Sequence, residues 1–148
     1  MKTRIFTGHA LAEETHARTR ELIEELGRAP RCAVLLSPGN PAMHAYATRQ
    51  REAAAALGVV LDIETYAEDP QAVLSRLKQL REDDAVDGVM TLFPLPAGLS
   101  AMEVAEAIGP QKDVDGLHPL SAGLLALGAE ARFPATAQAC AHAIEHLV

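Results

Sequence analysis

CAVLLSPGNPAMHAYATRQREAAAALGVVLDIETY, residues Cys32–Tyr66, is the stretch that decides the fold. Its first part, Cys32 to Ser37, is a short run free of charge and bounded by turn residues, which suits a strand buried on both faces. Asn40 then supplies a side chain that can cap a helix and Pro41 a ring preset for its first turn. Alanine-rich sequence follows to Leu57 and stops at Gly58. A second strand, Val59 to Tyr66, begins at once. A strand, a long helix and another strand imply a parallel pair, because the chain must return to its starting end before it can pair again.

Outward from this unit the alternation continues. Upstream, Ala12, Thr15, Thr19, Leu22, Ile23 and Leu26 recur at helical spacing until Gly27 and Pro30. Downstream, Asp69 and Pro70 repeat the cap-and-proline device ahead of Val73, Leu77 and Leu80, and DGVMTLF (Asp87 to Phe93) reads as the third strand. Ser100 and Glu103 have capping-box spacing before Val104 and Ile108, and Gly109 with Pro110 end that helix. Two shorter helices fit Ser121 to Leu127 and Thr136 to Leu147. The expected fold class is α/β: a three-layer α/β/α arrangement with a mostly parallel sheet, forming a single domain over residues 1–148.

Composition narrows the function. A formal charge of −7, with 13 Lys and Arg dispersed along the chain, argues against nucleic acid and anionic membrane as partners. Lys2, Arg4, His9, Glu13 and Glu14 interrupt any apolar core of an export signal. The longest uncharged stretch, Gly88 to Met102, is broken by Pro94, Pro96 and Gly98 and is too short to span a bilayer. The expected location is the cytoplasm, with Cys32 and Cys140 as reduced, buried thiols.

In a parallel sheet of this kind, ligands bind outside the carboxyl ends of the strands. That rule selects SPGNPA after the first strand, PLPAG after the third, and KDVDG (Lys112 to Gly116) beyond the fourth helix. Tyr46 and Gln50, four apart on one helix, share a face that could grip a planar polar ligand, though the spacing alone favours an ordinary helix surface with one half-buried tyrosine. The prolines of TLFPLP end a strand and present a stiff apolar shelf. In KDVDG, Val114 separates two aspartates, so an extended backbone directs Asp113 and Asp115 to opposite sides, one for structure and one for a cleft. A carboxylate in a cleft can accept paired hydrogen bonds from the amino edge of a heterocycle. A metal is disfavoured, since no further ligand lies nearby at a suitable spacing, and His118 reads as a surface or capping residue.

Taken in order, GHALA, GNPA with a tyrosine, GVMTLFPLP, PQKDVDG, SAG and FPATAQA resemble the folate-binding catalytic domain of the bifunctional methylenetetrahydrofolate dehydrogenase/cyclohydrolase family, from about Phe6 to the last helix. The resemblance implies a tetrahydrofolate derivative as substrate or ligand and a homodimer. Tyr46 would pack against the folate, Leu92, Phe93 and Pro94 would line the pterin pocket, and Asp115 would bind the pterin's amino edge. The expected catalytic set is Tyr46, Gln50 and Asp115. The family's NADP- or NAD-binding domain is expected to be absent from this chain, which has no G-x-G-x-x-G turn, so either nucleotide would require a separate dinucleotide-binding domain or subunit.

Three positions depart from the family pattern. Gln50 stands where the family has a lysine thought to manage the proton transfers of the cyclohydrolase step. Leu92 replaces the glutamine that orients it, and Met43 a serine. An amide cannot do general acid–base work near neutral pH, and leucine cannot hydrogen-bond to it. Three readings follow: a divergent one-carbon folate enzyme with its acid–base pair lost, a non-catalytic folate- or partner-binding subunit or half of a split dehydrogenase, and a decayed relative keeping only the fold.

Overall fold

The computed structural model describes residues 7–66 and 69–147. The segment that argued against an export signal lies partly, and Phe6 wholly, outside them. The order is α1 (His9–Leu26), β1 (Arg31–Leu36), α2 (Pro41–Leu57), β2 (Val60–Thr65), α3 (Pro70–Glu82), β3 (Gly88–Thr91), α4 (Ala101–Ile108), α5 (Pro119–Ala126) and α6 (Ala135–Leu147). The strands form a parallel sheet in the order β2-β1-β3.

That order puts helices on both faces. From β1 the chain steps one way to β2 through α2, then back across β1 to β3 through α3. Crossovers of one hand place helices that travel in opposite directions on opposite sides of the sheet. The core divides accordingly. Val34 and Leu36 of β1 pack with Met43 and Ala47 of α2 and with Leu92, whereas Ala33 and Leu35 pack with Val73, Leu77 and Leu80 of α3 and Val104, Ala107 and Ile108 of α4. Beyond Arg31 the central strand is therefore apolar on both faces, as its sequence requires. The capping devices form as read: Asn40 accepts from the Ala42 and Met43 amides, Asp69 from Gln71, and Ser100 and Glu103 close a capping box.

Several boundaries shift. β3 ends at Thr91 instead of Phe93: the Leu92 amide still donates to Leu35 O (2.9 Å), but the chain then leaves the sheet through a cis Phe93–Pro94 peptide. α1 and α5 start earlier than expected, α5 because His118 Nδ1 accepts from the Leu120 amide (3.1 Å) and Pro119 takes the first turn. The expectation for Cys140 is overturned: α6 has no buried residue among those described, and its thiol is exposed. Cys32 is half-buried, and both thiols are free. Among the described residues no helix is long and apolar enough to cross a membrane.

Candidate functional site

The reversal of direction at β1 opens a crevice between the carboxyl ends of β1 and β3, where the chains leaving the two strands diverge to opposite faces. A groove of about 350 Å³ lies there, lined by Asn40, Ala42, Met43 and Tyr46 after β1 and by Leu92 and Phe93 after β3. Tyr46 (55% exposed) and Phe93 (51%) are large rings left standing at its rim, while Leu92 is buried in its floor. Two aromatic faces beside an apolar floor suit a flat heterocycle.

On the other side of Phe93 lies the KDVDG segment. The Val89 amide donates to Lys112 O (2.7 Å) and Val89 forms a parallel bridge with Asp113, so the segment extends the sheet beyond β3. Gly88 permits the approach: a Cβ there would stand 2.4 Å from Val114 Cγ1. Lys112 turns away from the site and donates to Leu80 O (3.1 Å) and Asp83 O (2.6 Å), closing the C-terminus of α3. Asp113 is buried and accepts from the His118 amide (2.7 Å) at the start of α5. Gly116 takes φ +67° under the 132–134 backbone, where a Cβ would meet Arg132 O at 3.0 Å.

Asp115 is the residue left over. Burial, and then the neighbouring Asp113 carboxylate, push its carboxyl above the ordinary value. Together with Phe93, Asp113 and residues of α4 it lines a crevice of about 10 Å³, barely room for one water. The expectation that the two aspartates face opposite sides is thus corrected. Only Asp113 is held in extended pairing, the backbone bends at Val114 and Asp115, and both residues line one crevice. Their roles still divide, Asp113 to structure and Asp115 to the crevice.

The structure gathers Tyr46, Leu92 and Phe93 into the groove and joins Asp115 to them through Phe93. Gln50 lies a turn beyond Tyr46, outside the groove's lining, and its Oε1 is buried without a partner among the described residues. Pro94 is exposed beside Phe93 and offers its carbonyl to the Tyr66 hydroxyl (3.0 Å). Sequence reading had Asn40 only as a cap and Met43 only as a departure, yet both form the groove wall; their place right after a strand end was the available signal. A larger groove of about 580 Å³ between α1 and α6 is lined by no residue that follows a strand. Among the described residues no cluster of His, Cys, Asp or Glu could hold a metal ion.

A small parallel α/β domain with an aromatic-rimmed groove at the switch point of its sheet is of the open, doubly wound α/β class. The chain belongs to the tetrahydrofolate dehydrogenase/cyclohydrolase family, matching that family's catalytic domain over residues 6–115. It is 35% identical to the bifunctional protein FolD of Thermus thermophilus, covering 99% of this chain and 52% of that protein. To its Acidithiobacillus ferrooxidans counterpart it is 37% identical, over 87% of this chain and 47% of the relative. The bifunctional 5,10-methylenetetrahydrofolate dehydrogenase/cyclohydrolase of Thermoplasma acidophilum superposes with a TM-score of 0.89 at 30% identity, over 97% of this chain and 53% of that one. The 5,10-methylenetetrahydrofolate dehydrogenase of Bombyx mori does so with the same score and identity, over 99% and 52%. The chain spans about half the length of these relatives.

Proposed function

We propose that this chain binds a reduced one-carbon folate across the Phe93 ridge, its pterin reaching Asp115 and its flat body lying against Tyr46, and that it lacks the family's usual cyclohydrolase proton shuttle. The observation that carries the reading is the division of labour within KDVDG: Lys112 and Asp113 are consumed by helix C-terminus and backbone contacts, whereas Asp115 keeps a carboxylate in an unfavourable place. A desolvated carboxylate beside a second one is stabilised by a ligand that donates hydrogen bonds, and a pterin's amino group and adjacent ring N–H present two in one plane. Filling the crevice requires Phe93 or α4 to give way, since it holds only about 10 Å³.

Gln50 and Leu92 support the second half of the proposal. Gln50 titrates at no accessible pH, and Leu92 is packed with Met43 and Ala47, so neither can move a proton. The folate would be positioned more than chemically activated. NADP or NAD would be held only by a further nucleotide-binding domain or subunit, and a cytoplasmic homodimer is likewise proposed.

The test is calorimetric titration of the chain with tetrahydrofolate and with 5,10-methylenetetrahydrofolate, repeated on Asp115→Ala. Saturable binding by the parent that weakens in the variant is expected; no binding by the parent, or equal binding by both, would sink the assignment.

A second reading, half of a split dehydrogenase, is favoured by the apolar side chains on the outer helices. Leu22 (47% exposed), Leu26 (49%) and Ile144 (62%) lie on α1 and α6, and Leu127 (83%) and Phe133 (49%) lie between α5 and α6. Sedimentation of the chain with a separately produced nucleotide-binding domain of a relative distinguishes it: a complex supports this reading, and two independent species refute it.

A further inference from the structure

Tyr66 follows β2, on the far side of β1 from β3, yet its ring reaches the corner that follows β3. Its amide donates to Leu36 O at the end of β1 (3.1 Å), its ring is 7% exposed within the core, and its hydroxyl donates to Pro94 O (3.0 Å). Burial raises the phenol's pKa, and the Ser37 hydroxyl close by partly offsets the rise. One residue, through its amide and its hydroxyl, thus ties together the carboxyl ends of all three strands.

The consequence falls on Phe93. Leu92 before it is packed into the α2 side of the core, and Leu95 and Leu99 after it pack on the α3–α4 side. The chain crosses from one side to the other within the Phe93–Pro94 corner, and the tie to Pro94 O is a polar anchor at that crossing. Phe93 projects from it as the wall shared by the groove and the Asp115 crevice.

We propose that Tyr66 is a positioning residue of the folate site, holding the Pro94 carbonyl so that the Phe93 ring is fixed between the Tyr46 groove and the Asp115 crevice. The inference rests on the folate reading above for its ligand, but the anchoring it invokes is a property of the free protein. A neutral hydrogen bond of this kind, when lost, shifts an equilibrium by about two- to tenfold. Tyr66→Phe removes the donor, keeps the ring in the core and leaves the Pro94 carbonyl without it.

The experiment combines two readouts on the whole chain, well below its thermal midpoint. Deuterium uptake without ligand should rise across residues 92–99 in Tyr66→Phe and stay at the parent level in α3. Affinity for tetrahydrofolate should fall about two- to tenfold in Tyr66→Phe, and that loss should vanish when Phe93→Ala is already present, because Tyr66 then has no ring left to position. Parent-like uptake across 92–99, a rise spread evenly over the chain, or an affinity loss additive with Phe93→Ala would each reduce Tyr66 to an ordinary core residue and overturn the proposal. If the parent binds no folate, the folate reading fails by itself and the uptake still decides whether the corner is anchored.

Discussion

The two ends of the sheet are built on opposite rules. At the amino end, Arg28 clasps Asp87 with both guanidinium nitrogens, Asp87 also accepts from the Arg31 amide (2.8 Å), Arg31 Nε donates to Asp62 (2.6 Å), and Lys112 closes the end of α3. Each of these charges has an opposite charge or a carbonyl. At the carboxyl end, Asp115 has a like charge for a neighbour, and two aromatic rings stand half in solvent. A carboxylate beside a like charge and exposed rings cost stability in the free protein that a bound ligand would recover, which is the division expected if the ligand proposed above binds at the carboxyl end.

The largest expected effect comes from rebuilding the carboxyl end. If the pocket is otherwise intact, Gln50→Lys with Leu92→Gln restores a proton carrier and its orienting amide, a role worth about 10²- to 10⁴-fold in rate. Hydrolysis of methenyltetrahydrofolate, corrected for the spontaneous reaction, should be slow in the parent and rise strongly in the double variant. Gln50→Lys alone should gain less, because its ammonium would lie beside an apolar leucine. Fast hydrolysis by the parent would show that another group moves the proton.

Next in size is Asp115→Ala. Losing a charge-assisted pair to the ligand is expected to weaken folate binding by about 2 to 3 kcal/mol. The matching change at the amino end, Asp87→Asn, should leave folate affinity at the parent value while lowering the urea midpoint. An effect of Asp87→Asn on affinity, measured by the same titration, would break the division between the two ends.

How much of this was legible follows from what each residue answers to. The strand of Cys32 to Ser37 and the caps at Asn40, Asp69 and Ser100 were readable because propensity, capping and burial agree locally. Tyr46, Leu92, Phe93 and Asp115 were singled out because parallel sheets bind at strand ends and the motif order resembles a known family, whereas Asn40 and Met43 were not read as groove wall. Tyr66 was passed over: a tyrosine closing an amphipathic strand carries no local sign that it will reach across another strand to Pro94. The Cys140 expectation failed because alanine-rich periodicity shows which helix face is apolar and not whether anything covers it. The shared crevice of Asp113 and Asp115 was misread because strict alternation holds only while the backbone stays extended, and it bends after one bridged residue.

The smallest effect is also the one that separates the two ends most cleanly, because it is a difference in sign. Asp87 has its carboxyl held down to about 2 from 3.8, by hydrogen bonds from Arg28 and from the Arg31 amide. The unfolded chain therefore binds the proton first as pH falls, and the stability that Asp87 gives is present above about pH 4 and lost towards pH 2. Asp115 is shifted the other way by burial and by Asp113. Here the folded chain binds the proton first, so the cost of this carboxylate is absent below its unfolded value of 3.8 and grows as pH rises through the folded value. Urea unfolding of the ligand-free protein between pH 2.5 and 7 should thus show Asp87→Asn less stable than the parent near neutrality, the gap closing in acid. Asp115→Asn should be more stable near neutrality, its advantage also vanishing in acid, although it binds folate worse. An Asp115→Asn protein destabilised at pH 7 would mean that the carboxylate is already satisfied within the chain, and the reason for assigning it to a ligand would be gone.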